Sequence, residues 1–371
     1  MTHVFLATGD LAMDREDYDE SFTATRDLLR GADLAFGQLE TSFALRGSRM
    51  PQARHAVLAR PDGAAALGRA GFDIISMAGN HCMDWGVEAF HETKANLEAA
   101  GISVVGAGRD IAEARQPVIR TLGDGTRLAV LAYSSILPQD YWATERRAGC
   151  APMRAHTVYE QVETDQPGTP ARIHTWPHRE DLADMVRDIR KAKALADVVI
   201  VSQHWGIHFV RASIADYQRA VAQAAVDAGA DAVIGGHAHI IKGCEVIGGK
   251  PVFHSLCNFA TDLRMDEEHA RSKSWNEIRV LAEKWDPDFG SLYNFPEASR
   301  LAMIARLEIG GGRLIKSGFL PVFIGRDAVP RVAAPGSAEY DEVLDYLTAV
   351  TAEAGLNARY IKGQDMVEIA A

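Results

Sequence analysis

Near the middle of the chain, the stretch 231-DAVIGGHAHI-240 ends an apolar run in two glycines and then sets two histidines one residue apart. Two imidazoles at one turn serve packing poorly, because each buried ring nitrogen needs a partner. They suit a metal ion. Other polar residues close short apolar runs in the same way. Asp10 ends 3-HVFLATGD-10, Glu40 ends 32-ADLAFGQLE-40, Asn80 and His81 end 72-FDIISMAGNH-81, and His204 lies in 196-ADVVIVSQHW-205. Oxygen and imidazole donors without thiolate fit Mn, Zn or Fe as divalent ions rather than a structural zinc finger. Asp10, Glu40, Asn80, His204, His237 and His239 are more donors than one tetrahedral ion uses. Two ions sharing a carboxylate are the economical reading, and such a pair activates water for hydrolysis.

The elements that must position these donors are legible as well. The apolar runs are short and β-branched, which predicts buried strands; 127-RLAVLAYSS-135 and 250-KPVFHSLCNF-259 share the pattern. Between them, 86-GVEAFHETKANLEAAG-101, 180-EDLADMVRDIRKAKALA-196, 216-DYQRAVAQAAVDAG-229 and 337-SAEYDEVLDYLTAVTAEAG-355 read as helices, the last with Ser337 as N-cap. Alternating strand and helix predict an α/β fold, in which ligands bind at the carboxyl ends of the strands. Residues 1–371 are expected to form one domain. Two long excursions, 137–179 and 262–300, interrupt the rhythm and are candidate lids.

Bulk composition narrows the function. The 371 residues are enough for a sizeable core, and 47% apolar with 24% charged is an ordinary globular balance. A net charge of −11 argues against a nucleic acid or an anionic membrane as partner. Cys82, Cys150, Cys244 and Cys257 form no CxxC pair, which fits a reducing compartment. No membrane-length apolar run and no leader pattern are present, so a cytoplasmic protein with a small-molecule substrate is expected. The segment 357–371 leaves open whether it packs on the core or on a second copy in a homo-oligomer.

Taken in order, GD, a glutamate after a strand, AGNH-x-x-D-x-G, HWG, GGHAHI and SLCNF resemble the CapA-type capsule and poly-γ-glutamate synthesis family, a branch of the calcineurin-like metallophosphatase superfamily. The resemblance runs from about residue 3 to 260. It implies a metallophosphatase-like α/β/β/α sandwich of two mixed sheets flanked by helices. It also implies that Asp10 and His239 hold one metal, that Asn80, His204 and His237 hold the second, and that Glu40 bridges them. His81 would act as general acid or transition-state stabiliser, with Asp84 fixing its ring. The chain departs from the family pattern in four places. Asp10-Leu11-Ala12 lacks the histidine of Asp-x-His, and His208 stands where an acid is usual. Ala238 replaces proline in His-Pro-His, and His254 and Cys257 alter the motif before Asn258.

These residues predict a metal-dependent hydrolase, with Arg60, His208, His254 and Asn258 as substrate contacts. The expected substrate is a small carboxylate-bearing amide or related C–N compound, or a phosphoester. The competing expectation is a component of poly-γ-glutamate synthesis that turns nothing over.

Overall fold

The computed structural model describes residues 1–282 and 285–371. In chain order the main strands are β1 (His3–Ala12), β2 (Leu34–Leu39), β3 (Ile74–Ser76), β4 (Ser103–Val105), β5 (Val118–Thr121), β6 (Arg127–Ser134), β7 (Val198–His204), β8 (Ala232–Gly236), β9 (Ile241–Ile247), β10 (Lys250–Leu256), β11 (Asn258–Thr261), β12 (Leu301–Gly310), β13 (Arg313–Ile324), β14 (Arg359–Lys362) and β15 (Val367–Ala370). The main helices are α1 (Asp62–Ala70), α2 (Gly86–Ala99), α3 (Arg179–Leu195), α4 (Asp216–Ala228) and α5 (Ala338–Glu353).

One sheet runs β14-β15-β13-β12-β1-β2-β3-β4, with β11 added to β1. The second runs β9-β10-β8-β7-β6-β5. In the first, β1 to β4 are parallel and β12 to β15 antiparallel. In the second, β10, β8, β7 and β6 are parallel and the edge strands antiparallel. Both sheets are therefore mixed. The alternation of β7 shows why they stack. Val198 and Ile200 join the core shared with the first sheet, beside Phe5, Leu34 and Ile304. Val199 and Val201 face the other way, onto Met185 and Ile189 of α3 and Val221 and Ala225 of α4. On the first sheet, α1 and α2 contribute Leu67, Phe90 and Leu97 beside Phe36 and Ile75. The result is the α/β/β/α sandwich that the sequence resemblance implied.

The predicted helices appear as α2, α3, α4 and α5, and Ser337 caps α5 by accepting from the Tyr340 backbone N–H at 3.1 Å. Sequence reasoning missed α1, which is short and alanine-rich, and the long antiparallel pair β12–β13. The segment 357–371 packs on its own chain, as β14 and β15 against β13. The two excursions differ. Most of 137–179 is a hairpin, Ala155–Glu160 with Arg172–Pro177, which rests on α4 through the Thr175 N–H and Asp216 at 3.1 Å. It does not cover the strand ends; Pro138, near its start, lines the cavity there, and Tyr141 reaches Asp84 from behind. The excursion 262–300, two of whose residues (283 and 284) lie outside the described residues, does cover them. Among the described residues, no helix is long and apolar enough to cross a membrane.

Parallel strands point their carboxyl ends the same way, so Asp10, Glu40, Asn80, His204 and His237 gather at one end of the sandwich. The approach is close. A Cβ on Gly9 would lie 2.0 Å from the Cys257 carbonyl oxygen, where β1 runs beside β11. Gly9→Ala is therefore expected to cost about 3 kcal/mol of stability by forcing the two strands apart, measured as a shift in the urea midpoint. An unchanged midpoint would show that the strand pairing relaxes freely.

Candidate metal centre

Glu40, His204 and His237 each offer a ligand atom, and these atoms lie within 4.8 Å of one another. Asp10, Glu40 and His239 do the same. Glu40 belongs to both groups and is the residue able to bridge. Asn80 joins the first group, its Oδ1 2.6 Å from His204 Nε2, and Glu40 Oε1 lies 2.9 Å from that same nitrogen. Glu40 Oε2 stands 3.6 Å from His239 Nε2. The other nitrogen of His239 is held by Asn258, 2.6 Å from Nδ1 to Oδ1, which leaves Nε2 free to ligate. All of these donors except Asn80 are buried, Asp10 completely so.

The local backbone is bent to deliver them. His237 and His239 have φ of 85° and 52°, in the left-handed region that non-glycine residues avoid. This geometry turns both rings inward directly after β8. The His237 N–H also donates to Asp10 Oδ2 at 3.0 Å, tying the two sheets together. A Cβ on Gly236 would sit 2.7 Å from Asp10 Oδ1, so a glycine there leaves room for the carboxylate.

Two buried carboxylates share one region. Burial, and then the charge of Glu40, push the Asp10 carboxyl well above its usual range, against the pull of the His237 N–H. Burial also works to raise Glu40, but the imidazoles of His239 and His204 outweigh it and hold Glu40 well below the usual range. The surroundings thus push the two carboxyl groups in opposite directions. Burial works against a charge on His208, His237 and His239 and pushes all three down. Asp10 Oδ1 and His237 Nδ1 are buried without a hydrogen-bond partner among the described residues. Buried polar atoms lacking a partner, imidazoles whose charged form is disfavoured and two carboxylates in close company fit divalent metal.

His81 Nδ1 lies 2.6 Å from Asp84 Oδ2, and the Tyr141 hydroxyl donates to the other oxygen of Asp84 at 2.8 Å. Burial would lower His81, but the hydrogen bond and charge of Asp84 raise it to about 9. Both residues line a cavity of about 490 Å³ together with Glu40, Asn80, His208 and His239.

Three expected substrate contacts stand elsewhere. Arg60 is outside the cavity. Its guanidinium is captured by Asp62 at 3.2 Å and the Glu16 carbonyl at 2.7 Å, and it covers the Tyr18 ring at 5.0 Å. His254 is fully buried on the helix side of β10, stacked on Trp205 at 5.7 Å and 3.3 Å from Glu245. Asn258 is buried under His239 and also donates to the Tyr293 hydroxyl at 2.7 Å, so it orients a ligand instead of meeting a substrate. His208 does line the cavity, its ring 3.9 Å from that of His237. Sequence reasoning missed Arg54, His55, His269 and Tyr141. The His55 and His269 rings meet at 2.9 Å across 214 residues of chain, and nothing local announces such a pair.

Two stacked mixed sheets with carboxylates and imidazoles at converging strand ends define an α/β/β/α protein with a candidate metal centre. Within that class, the chain belongs to the bacterial capsule synthesis protein PGA_cap family, whose model matches residues 4–263. It is similar to the probable polyglutamine synthesis accessory protein of Mycobacterium tuberculosis, at 30% identity over 70% of this chain and 63% of that protein. It is also similar to the PGA biosynthesis protein CapA of Bacillus subtilis, at 28% identity over 52% of this chain and 43% of the relative. The chain spans between 43% and 66% of the length of the curated relatives it matches. Among solved structures, the calcineurin-like phosphoesterase YfkN from Bacillus subtilis overlays with a TM-score of 0.36 at 15% identity, covering 95% of this chain and 97% of that one.

The shared position of Glu40 sets an order of effects. Glu40→Gln should lower metal content more than His237→Ala does, by elemental analysis of protein prepared without chelator. Asn258→Ala should weaken metal affinity by about 10-fold or more. Arg60→Ala should leave both quantities unchanged. Equal metal content in all four proteins would reject the centre.

Proposed function

We propose that this chain is a metal-dependent hydrolase of a small molecule. The observation that carries the reading is the juxtaposition, in one cavity, of two ligand groups sharing Glu40 with the His81–Asp84 pair. Asp10, Glu40 and His239 would hold one divalent ion, and Glu40, Asn80, His204 and His237 the other. Such ions, when bound, supply Lewis acidity and an activated water. Asn258 fixes the tautomer of His239, and Asp84 fixes that of His81 by accepting from Nδ1. His81 Nε2 is then the atom that can give a proton to a leaving group or hydrogen-bond a developing oxyanion. Tyr141 holds Asp84 from behind, so the couple is pre-oriented.

Both candidate substrate classes, amide or related C–N bond and phosphoester, develop negative charge on oxygen, and this site would serve either. A carboxylate on the substrate finds less support. Among the described residues, the arginine that lines the cavity is Arg54, exposed and 3.6 Å from Glu277. A second reading rests on the family itself: two relatives are named for capsule-polymer biosynthesis or as an accessory protein, which favours a non-catalytic part in poly-γ-glutamate synthesis.

The test is turnover of paired amide and phosphoester panels by metal-loaded protein. Hydrolysis should disappear with chelator and return with Mn, Zn or Fe. His81→Asn and Asp84→Asn should keep their metal and lose about 10²–10⁴-fold in kcat. No chelator-sensitive turnover of either panel would discard the hydrolase in favour of the non-catalytic reading.

A further inference from the structure

The cavity above the ligand cluster is walled by aromatic rings, and they are built onto the imidazoles themselves. Phe295 lies 5.2 Å from His239, and Phe209 lies 5.8 Å from it, nearly parallel. Phe209 meets Trp285 at 4.7 Å, and Trp285 meets Trp275 edge-on at 4.8 Å. His208 adjoins both rings, 5.2 Å from Phe209 and 5.1 Å from His239, within 27° and 15° of parallel, so the three form a triangular cluster. Phe209, Trp275 and Trp285 form a small core of their own with Met265 and Ile240, so the walls are packed surfaces rather than loose side chains.

Two contacts tie the excursion across the cavity to the loop before α1. His55 meets His269, and Arg54 reaches Glu277 at 3.6 Å. A volume of about 490 Å³ enclosed this way matches a compact ligand, not a thread of polymer. The lining adds acidic Asp262 and Glu277, each engaged with an arginine. Beyond the metal ligands, Arg54 and the histidines His55, His81 and His269, the walls offer a flat, apolar slot.

We propose that the 262–300 excursion, with Phe209, selects a small molecule with a flat apolar body, seated against Phe209, Trp285 and Phe295 so that its hydrolysable group meets the ligand cluster. The inference rests on the hydrolase reading for the orientation of the substrate, but the slot itself is measured by binding. Poly-γ-glutamate, a flexible polyanion, is a poor occupant of it.

The experiment uses the metal-loaded chain of residues 1–371 and matched probes. Acetanilide is compared with N-methylacetamide, phenyl phosphate with ethyl phosphate, and tri-γ-glutamate stands for the polymer. Binding is read by calorimetry and turnover by product release. Each aryl probe should bind about 10-fold or more tightly than its alkyl partner, from the ring area removed from water. Phe295→Leu, a mild change at a half-buried wall, should cut that ratio by about 3-fold or more. Trp285→Leu is the second variant, with circular dichroism reporting whether the fold holds. Equal binding of aryl and alkyl probes, or tighter binding of tri-γ-glutamate than of either aryl probe, would overturn the proposal. Aryl preference without turnover of any probe would leave the slot standing and remove the hydrolase. Turnover of tri-γ-glutamate without aryl preference would do the reverse.

Discussion

Two carboxylates and several imidazoles are buried together where two sheets meet, and the rest of the molecule is arranged around that constraint. Asp10 and Glu40 cannot both ionise cheaply in that setting, and neither can be left without a partner. A divalent cation removes the conflict, because both carboxylates then carry charge against it. The fold accepts local backbone strain to bring the donors this close. His237 and His239 adopt left-handed φ, as does Cys257, at 71°, just before Asn258. Strained residues at three points of one small region are hard to explain as packing. They are what remains when the positions of side chains, not backbone ease, decide the conformation.

Around the donors lies a second set of contacts that sets which atom of each ring faces inward. Asn258 takes one nitrogen of His239, and Asp84 takes one of His81. These partners are themselves held. Tyr141 holds Asp84, while Tyr293 accepts from Asn258 and donates to the Ser299 carbonyl at 2.5 Å. Tyr293 and Ser299 belong to the excursion that covers the cavity. The tautomer of His239 and the placement of the cover are thus joined through two hydrogen bonds. Movement of the cover would be felt at a ligand nitrogen, so substrate enclosure and metal geometry belong to one hydrogen-bonded unit.

How much of this the sequence disclosed follows from how local each signal is. Strand ends carrying Asp10, Glu40, Asn80, His204, His237 and His239 were legible because each donor directly follows an apolar run, and parallel topology does the gathering. The four long helices were legible by period and caps. The β12–β13 pair escaped because its strands belong to no strand–helix alternation, although they meet at the glycine turn Gly310-Gly311-Gly312. Arg60 and His254 were misread for a different reason. Each has a nearby acid that claims it, Asp62 by proximity in sequence and Glu245 by strand pairing, and neither competitor is visible from residue type alone. His55 with His269 and Asp84 with Tyr141 join distant segments and have no sequence signature.

The departures from the family motifs can now be located against the geometry. Ala12, in place of the histidine of Asp-x-His, lines the cavity, and so does His208, in place of the usual acid. Neither contributes to the two groups of close ligand atoms found among the described residues, and those groups are complete without them. His208 instead packs beside both His239 and Phe209, nearly parallel to the first, and extends the aromatic wall toward the ligands. Exchanging an acid for a neutral ring here trades a charge for a planar surface, and exchanging a histidine for Ala12 opens space beside it. Both changes act on the volume a substrate would occupy. Both departures therefore fall on the cavity wall and leave the two groups of close ligand atoms untouched.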